Sequence, residues 1–323
     1  MEVSENQTIL VADEKTRRIY EKLKRELGAL LYGIIKEPDV IEVMLNPDGR
    51  LWVERLGQDM LCVGKMSASQ AESLISTVAA TLKTTITREN PILECEFPLD
   101  GSRFEALIPP VVSAPVFSLR RKALKIFTLD DYVAAGTMTS RQRDVISESV
   151  GRRKNILVVG GTTSGKTTLT NAIIAEIAAL TPEHRLVIIE DTAEIQCSSD
   201  NAVILRAVEA ADMLRLLKAT LRLRPDRVLV GEVRGAEALA LLKAWNTGHP
   251  GGVATVHANH ALAGLIRMEQ LIAESTLSPM QSLIAEAIDL VIYIEKTAQG
   301  RKIKQIILVE GFKENEYVFS TLE

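Results

Sequence analysis

The sequence predicts an α/β protein with two domains: a smaller α+β N-terminal domain, and a C-terminal domain built on a mainly parallel sheet. The chain has 323 residues, and a domain has about 150. Apolar residues make up 46% of it, enough for two cores. Strand and helix patterns alternate from residue 155 onward, as in a parallel sheet with right-handed crossovers. The earlier residues mix helices with antiparallel strand patterns instead.

Charge and composition exclude several classes of protein. The chain has 38 Lys and Arg residues and 42 Asp and Glu residues, so its net charge is −4. This charge argues against binding nucleic acid through bulk charge. Aromatic residues, at 4%, are too few for a base-stacking platform. The three scattered cysteines indicate neither a disulfide framework nor a zinc ribbon. No window holds 18 consecutive apolar residues, so no transmembrane helix is predicted. Glu2 and Glu5 lie where a signal peptide would carry positive charge before an apolar run, so the expected location is the cytoplasm.

Residues 1–122 are expected to form the α+β N-terminal domain. Its predicted elements are a helix over residues 14–35, a hairpin of strands 39–45 and 51–55, a helix from 67 to about 83, and a strand over 103–108. Ser67 and Gln70 have the spacing of a capping box at the start of the second helix. These elements mix helices with antiparallel strands, as in an α+β domain.

A proline-rich and basic stretch from Pro109 to Thr128 indicates the connection between the domains. We assign residues 123–138 to the linker region and residues 139–323 to the second domain. Two helices are expected after the stretch, and Thr139 with Gln142 forms a second capping box.

The second domain is predicted to alternate strands with helices. The expected strands cover residues 155–160, 186–191, 227–232, 253–257, 290–295, 303–309 and 317–322, and the expected helices cover residues 165–180, 211–223, 235–246 and 262–273. The last three strands predict a β-rich edge.

Residues 160–167 match the phosphate-binding pattern G-x-x-x-x-G-K-[ST] between an apolar strand and a helix. Backbone N–H groups and the helix dipole leave an anion site there, and glycines let the backbone approach phosphate. The nucleotide-binding residues are therefore predicted to be Gly160, Gly161, Thr162, Thr163, Ser164, Gly165, Lys166, Thr167 and Thr168. Lys166 is expected to pair with the β- and γ-phosphates, and the Thr167 hydroxyl to ligate Mg²⁺.

Carboxylates at the ends of two other strands indicate hydrolysis. The apolar run 228–230 leads to Gly231, where many P-loop enzymes carry a metal-binding Asp, and then to Glu232, which we expect to orient or activate water. The run 186–189 leads to Glu190, Asp191 and Glu194, and we expect Glu190 or Glu194 to touch Mg²⁺ through water.

His257 also follows an apolar strand. Its position fits a side chain that senses the γ-phosphate through a hydrogen bond. A metal site formed by His257 and His260 is a weak alternative, because their spacing is its only support and no cysteine lies nearby.

Four segments in this order resemble the traffic ATPases of secretion and conjugation systems: GGTTSGKTT, IIEDTAEI, RVLVGEVRG and TGHPGGVATVHAN. Within that superfamily the chain looks like the TrbB-type conjugal transfer ATPases, relatives of the type IV secretion ATPases. The segments FPLDGSRFEALIPPV and FSLRR resemble the part of the N-terminal domain that supplies arginines to the nucleotide.

The resemblance implies a hexameric ring of subunits with a RecA-like C-terminal domain, in which ATP binds between the domains. It also implies a motor for export or pilus assembly that works with secretion components at the inner membrane, with peripheral membrane contact. No sequence-specific nucleic-acid binding is expected. By motif match the functional residues are Lys166, Thr167, Glu190 (also as a Mg²⁺ ligand, through water), Glu232, His257, Arg103, Arg120 and Arg222.

Thr163 departs from the family pattern, which usually has a third glycine here. If the position needs a positive φ, a β-branched residue is strained there, and that would affect loop geometry and turnover.

The sequence leaves four alternative functions. A pilus-assembly or type II secretion ATPase of the same superfamily usually carries a tetracysteine module, which three scattered cysteines cannot form. A pilus-retraction ATPase lacks that module and is disfavoured only by a poorer N-domain match. A RecA-like or helicase-like nucleic-acid motor is disfavoured by the acidic balance and the lack of an aromatic stacking platform, although a ring channel could be locally basic. A non-catalytic nucleotide switch would not need Glu232.

Overall fold

The computed structural model of the chain describes residues 14–122, 126–208 and 210–322. The protein forms two compact units, Met1–Leu124 and Lys125–Glu323. Each unit has its own sheet and hydrophobic core.

The first unit is an antiparallel six-stranded sheet with two helices on one face. The elements are α1 (Glu14–Ile34), β1 (Val40–Leu45), β2 (Arg50–Arg55), β3 (Leu61–Lys65), α2 (Ala68–Thr81), β4 (Ile92–Glu96), β5 (Arg103–Leu107) and β6 (Val116–Arg120). The sheet has the order β3-β2-β1-β6-β5-β4. This arrangement confirms the predicted α+β class.

The core of the first unit lies between the helices and one face of the sheet. Leu23 and Leu27 lie four residues apart in α1 and share a face, and Leu31 follows the kink at Gly28, where φ is 74°; all three leucines are buried. They pack in one cluster with Phe104 and Phe117 of the sheet. Because strand residues alternate between faces, polar side chains of β5 and β6 lie on the other face.

Several elements of the first unit differ from the sequence predictions. Strands β3, β4 and β6 were not predicted, and β6 occupies the stretch that we interpreted as interdomain connection. Ser67 caps α2 as expected, but the Gln70 side chain donates to the Glu26 carbonyl oxygen of α1 at 2.6 Å. Gln70 thus joins the two helices.

The second unit carries the mainly parallel sheet. Its helices are α3 (Leu129–Ala134), α4 (Ser140–Gly151), α5 (Lys166–Leu180), α6 (Met213–Thr220), α7 (Glu237–Asn246), α8 (Ala261–Ala273) and α9 (Gln281–Ala287). Its strands are β7 (Ile156–Val159), β8 (Leu186–Glu190), β9 (Ala202–Arg206), β10 (Arg227–Val230), β11 (Val253–Val256), β12 (Leu290–Thr297), β13 (Gly300–Lys313) and β14 (Glu316–Leu322). Of these, β9 and α9 were not predicted.

The sheet of the second unit has the order β14-β13-β12-β7-β11-β10-β8-β9. Strands β12 to β9 in this order are parallel, whereas β13 and β14 add an antiparallel edge, which confirms the predicted β-rich edge. Helices cover both faces, because Leu157 and Val159 of β7 pack in one core cluster and Ile156 and Val158 in another. Because β7, β8, β10 and β11 are parallel neighbours, their carboxyl ends meet at one edge of the sheet.

Part of the predicted linker region, residues 123–138, packs into the second unit. Residues 123–125 lie outside the described residues. Thr128 and Asp131 form a reciprocal capping box at the start of α3. Leu129, Tyr132 and Met138 are buried in a core cluster of the second unit, so this part of the predicted linker packs as domain structure.

No helix among the described residues is long and apolar enough to cross a membrane.

Candidate nucleotide-binding site

The loop over residues 160–165 connects β7 to α5 at the carboxyl edge of the sheet. Gly160 has no room for a side chain, because a Cβ would lie 2.4 Å from Ser164 Oγ and 2.5 Å from the Ile294 carbonyl oxygen. Gly165 caps α5 with φ 98°, in the left-handed region that favours glycine. The loop thus brings backbone N–H groups to a helix N-terminus, as an anion site requires.

Thr163 has φ 57°, so a β-branched residue occupies the left-handed region. Such a conformation costs about 1–3 kcal/mol. The strain foreseen at this departure from the family glycine is therefore present in the loop.

Lys166 is turned into the loop and is 8% exposed. Its ammonium donates to the carbonyl oxygens of Gly160 and Gly161, at 2.9 Å in each case. It also lies 3.1 Å from His257 Nδ1. The ammonium is held in the region where P-loop proteins bind the β- and γ-phosphates.

His257 connects this lysine to the predicted catalytic carboxylate. Its Nε2 atom lies 3.0 Å from Glu232 Oε1. An ammonium can only donate, so Nδ1 accepts from Lys166 and the hydrogen of the neutral ring is assigned to Nε2. His257 then donates to Glu232, and the three predicted residues form one chain of hydrogen bonds.

Local electrostatics suit these protonation states. Burial and the charge of Lys166 lower the pKa of His257 below its ordinary value of 6.5, although Glu232 opposes the shift. Burial raises the pKa of Glu232, but the hydrogen bond from Arg234 and the nearby positive charges outweigh it and lower the pKa. At neutral pH the imidazole is therefore uncharged and the carboxylate ionised.

Arg234 is a site residue that the sequence reasoning missed. One of its guanidinium nitrogens donates to Glu232 Oε2 at 2.8 Å, and the other binds Asp191. It joins Glu232, which follows β10, to the acidic segment after β8. The available signal was its position two residues after Glu232, near a strand that ends in two acidic residues.

Glu190 lies at the end of β8 and is 1% exposed. Its Oε2 atom accepts the backbone N–H groups of Glu194 and Ile195 at 3.0 and 2.9 Å. The buried carboxylate thus holds the shape of the loop that follows β8. Arg206 Nε lies 3.6 Å from its other oxygen.

Glu194 is the carboxylate that contacts the threonine predicted to ligate Mg²⁺. Thr167 Oγ1 donates to Glu194 Oε2 at 3.0 Å. Asn171 of α5 fixes the segment by donating to the Glu194 carbonyl oxygen at 3.2 Å and accepting from the Gln196 N–H at 3.0 Å. Of the two carboxylates named from the sequence, the geometry favours Glu194 over Glu190 as the partner of Thr167.

Little space is available for a side chain at position 231, where many P-loop enzymes carry an Asp. A Cβ on Gly231 would lie 3.2 Å from Glu190 Cβ, tighter than most real contacts. The buried side chain of Glu190 on the neighbouring strand therefore fills the space beside Gly231.

His260 does not join His257. Its Nδ1 atom accepts the Ala263 N–H at 3.0 Å and caps α8. Among the residues that the structure describes, no group of three or more His, Cys, Asp and Glu side chains is placed to hold a metal ion. A histidine metal site therefore has no support.

Arg222 lies in the connection from α6 to β10, at the amino end of the strand. The loop of its own domain is at the carboxyl edge, and the four residues of β10 span roughly 13 Å. Its predicted action on a nucleotide stays a prediction, and within one domain this location disfavours it.

Arg103 and Arg120 are neighbours on paired strands of the first unit, directly opposite each other in register. Glu42 pairs with Arg120, and Glu96 pairs with Arg103, so the two arginines continue a charged row across one face. Like charges directly opposite each other destabilise a sheet. Their predicted role at the nucleotide stays a prediction.

A phosphate-binding loop after a central parallel strand, with a lysine, a histidine and a carboxylate joined at the same edge, defines a P-loop ATPase of the RecA-like class. A family model described as "Type II/IV secretion system protein" matches residues 31–304. The chain belongs to this family.

Two relatives match almost the whole chain. A protein named "Probable conjugal transfer protein TrbB" from Sinorhizobium fredii is 52% identical over 300 residues, which are 93% of this chain and 92% of the relative. "Conjugal transfer protein TrbB" from Rhizobium radiobacter is 51% identical and covers 93% of both chains.

Solved structures support the fold. The Legionella pneumophila ATPase DotB aligns with a TM-score of 0.61 at 20% identity, covering 91% of this chain and 80% of that one. The pilus retraction motor PilT aligns with a TM-score of 0.59 at 20% identity, covering 96% of this chain and 82% of that one. The predicted RecA-like fold is confirmed.

Proposed function

We propose that this chain is the Mg²⁺-dependent ATPase motor of a conjugative type IV secretion system. The observation that carries the proposal is the chain of contacts from Lys166 through His257 to Glu232, with distances of 3.1 and 3.0 Å. It joins the phosphate-binding loop to a carboxylate suited to orient water. The conjugal transfer system is proposed because relatives at 52% and 51% identity carry that description.

In this proposal Lys166 is the first group to respond to ATP. Its ammonium pairs with the β- and γ-phosphates, so the charge that faces His257 Nδ1 changes when the triphosphate binds. His257 also donates to Glu232. Nucleotide binding therefore reaches the water-orienting carboxylate through one imidazole.

Glu232 orients the attacking water. Its lowered pKa keeps it ionised, so its oxygens can accept hydrogen bonds from water at neutral pH. Arg234 and His257 hold its two oxygens and fix where the carboxylate points. These contacts position the carboxylate before the triphosphate reacts.

Oxygen ligands for Mg²⁺ come from Thr167 and the acidic segment after β8. Thr167 Oγ1 and Glu194 Oε2 lie 3.0 Å apart, and hydroxyl and carboxylate oxygens are the donors that Mg²⁺ prefers. Mg²⁺ usually binds through one or two protein oxygens together with water and phosphate, so these two groups fit it. When bound, the ion neutralises charge on the β- and γ-phosphate oxygens.

Arg103 and Arg120 are proposed to stabilise the charge of the transferring phosphoryl group. The support is their adjacent, like-charged arrangement in the sheet, which suits an anionic ligand. An inserted arginine accelerates P-loop chemistry about 10³- to 10⁵-fold. Arg222 lies far from the loop of its own domain, so any action is proposed on the nucleotide of a neighbouring subunit.

Two substitutions test the nucleotide site. Lys166→Ala should abolish ATP turnover with the fold retained, and unchanged turnover would remove the assignment. Glu232→Gln should bind ATP without hydrolysing it, whereas loss of binding would make Glu232 structural. Glu316→Gln, an exposed position on β14, removes the same charge and should leave turnover unchanged.

The assembly is proposed to be a homohexamer that contacts secretion components at the inner membrane, without crossing it. Particle images with and without ATP would give the number of subunits, and a monomer under both conditions would contradict the ring. Mixing Lys166→Ala with Arg120→Ala subunits tests action between chains, because recovered activity requires one subunit to complete another's site.

Single-stranded DNA distinguishes the secretion motor from a nucleic-acid motor. Strong stimulation of ATP turnover by the DNA would favour a translocase, and unchanged turnover is expected here.

A further inference from the structure

A hairpin of the second unit runs beside the phosphate-binding loop. Strand β12 pairs in parallel with β7, and Tyr293 lies opposite Val159, the last residue of β7. The chain therefore continues past the carboxyl edge before it turns into β13 at Gly300. The Ile294 carbonyl oxygen borders Gly160, at 2.5 Å from the position of a Cβ there.

The hairpin brings an arginine onto the loop. A Cβ on Gly165 would lie 2.9 Å from Arg301 Cδ and 3.3 Å from Arg301 Nε. The side chain of Arg301 thus lies against Gly165, the residue immediately before Lys166. The sequence reasoning assigned no role to Arg301.

Among the described residues, no carboxylate forms an ion pair with Arg301. No hydrogen bond or ion pair joins its guanidinium to any residue within the described ranges 14–122, 126–208 and 210–322. Its cross-strand neighbour is Lys296, a second cation. Arg234, at the same edge, differs because it binds both Asp191 and Glu232.

The two cations of the loop lie at its opposite ends. Lys166 points its ammonium at the carbonyl oxygens of Gly160 and Gly161, where the loop begins. Arg301 contacts Gly165, where the loop ends and α5 begins. A bound di- or triphosphate follows such a loop, so one cation is available to each end of it. A guanidinium suits phosphate because it can donate two parallel hydrogen bonds.

We propose that Arg301 binds the α-phosphate end of the diphosphate that ATP and ADP share. The inference rests on the nucleotide site proposed above and adds a nucleotide-binding residue from the same domain as the loop. This contact is made equally with ATP and ADP, so it contributes to binding rather than to the hydrolysis step. Arg301 is therefore expected to set nucleotide affinity.

The test measures nucleotide affinity by calorimetry with ADP and with a non-hydrolysable ATP analogue. Arg301→Gln should raise Kd about tenfold for both, the loss of one charge-assisted contact, with kcat at saturating ATP within about twofold of the parent. Arg301→Lys should recover part of the affinity, because the charge remains. Lys304→Gln is the matched control, since this exposed residue on β13 carries the same charge and should leave Kd unchanged.

Contrary outcomes are specific. Unchanged Kd in Arg301→Gln would overturn the inference, and weakening of the ATP analogue alone would move the contact to the γ-phosphate and overturn the assignment to the diphosphate. Lys166→Ala separates the two proposals. If it binds ADP normally, the nucleotide site is wrong; if it loses ADP and Arg301→Gln does not, only the role of Arg301 is wrong.

Discussion

Glu232 accepts a hydrogen bond from His257, with 3.0 Å between Oε1 and Nε2. The two residues follow β10 and β11, which are neighbours in the parallel sheet. The opposite ring nitrogen accepts a hydrogen bond from the ammonium of Lys166 at 3.1 Å, and this second contact depends on a neutral imidazole. A proton on Nδ1 would place two cations against each other.

His257 is expected to titrate below its ordinary pKa of 6.5, because burial and Lys166 disfavour its charged form. The unfolded chain then binds the proton more readily than the folded one. The stability contributed by this residue is present above about pH 6.5 and declines as the pH falls toward the lowered pKa. A titration of the imidazole resonances by NMR measures the pKa directly.

The lysine provides the control for this titration. Lys166→Met removes the adjacent positive charge, so the pKa of His257 should rise relative to the parent protein. An unchanged pKa would mean that Lys166 does not face the imidazole in solution.

Substitution of Glu194 and of Glu190 should affect different properties, the Mg²⁺ requirement in the first case and the free energy of unfolding in the second. Glu194→Gln removes a carboxylate 3.0 Å from Thr167, so half-maximal turnover should need several-fold more Mg²⁺. Its effect on the free energy of unfolding should stay within about 0.5 kcal/mol, as for other sites outside the core. Magnesium titrations of ATP turnover provide the measurement.

Glu190→Gln should lower the free energy of unfolding instead. Its carboxylate is 1% exposed and accepts two backbone N–H groups, so the substitution should cost about 1.5–3 kcal/mol in urea denaturation. If Glu190→Gln changed the Mg²⁺ requirement and Glu194→Gln did not, the original choice of Glu190 as the Mg²⁺ ligand would be restored.

The sequence predicted most of the second unit because its signals are local. Uniform apolar runs and the glycine-rich loop identified the parallel strands and the β7–α5 connection. Strand β9 was not predicted although residues 202–205 form a short apolar run; it is the last strand of the sheet, and its residues are half-buried or exposed. Strand β6 was missed because three nearby prolines and a basic run resemble a linker, and because one of its two pairing partners, β1, is distant in sequence.

The sequence identified most of the site residues but not the contacts between them. The strand ends that carry Glu190, Glu232 and His257 could be read directly. The preference for Glu194 beside Thr167 depends on how the loop folds back, and a sequence pattern does not contain that geometry. Arg301 reaches the loop only through the register of β12 on β7, which connects segments far apart in the chain.

The first two loop glycines should respond differently to alanine. Gly160→Ala would bring its Cβ within 2.5 Å of the Ile294 backbone oxygen, so the loop must shift and nucleotide binding should be lost. Gly161→Ala meets no atom within 4 Å, so the protein should keep its stability. Thermal unfolding and ADP binding of both variants test this, and equal damage by both would contradict the steric argument.

Relieving the strain at Thr163 should stabilise the protein. Its φ is 57°, and replacement by glycine removes about 1–3 kcal/mol of strain at a cost of about 0.5–1 kcal/mol in chain entropy. Thr163→Gly should therefore raise the free energy of unfolding by about 1 kcal/mol. Thr162→Gly is the control, because Thr162 is not among the positive-φ residues and should only lose stability. A loss of stability in both would show that the strain is absent.

Two arginines near the start of β10 should separate structural from surface roles: Arg222 lies in the preceding connection, and Arg227 is the first residue of the strand. Arg227 is fully buried and donates to the Val150 and Gly251 carbonyl oxygens and to His184 Nδ1, at 3.0 Å each. Burial lowers its pKa to about 10, so it remains charged at neutral pH. Arg227→Lys cannot reproduce these fixed directions and should lower the free energy of unfolding by about 2–4 kcal/mol.

Arg222→Lys is the matched variant, because Arg222 is exposed and the same change should stay within about 0.5 kcal/mol. Urea denaturation of both proteins, with ATP turnover below the unfolding transition, provides the measurement. If Arg227→Lys kept full stability but lost turnover, Arg227 would belong to the chemistry. The buried hydrogen bonds predict the reverse, since they join β10 to α4 and to the segment before β11 at the edge opposite the nucleotide loop.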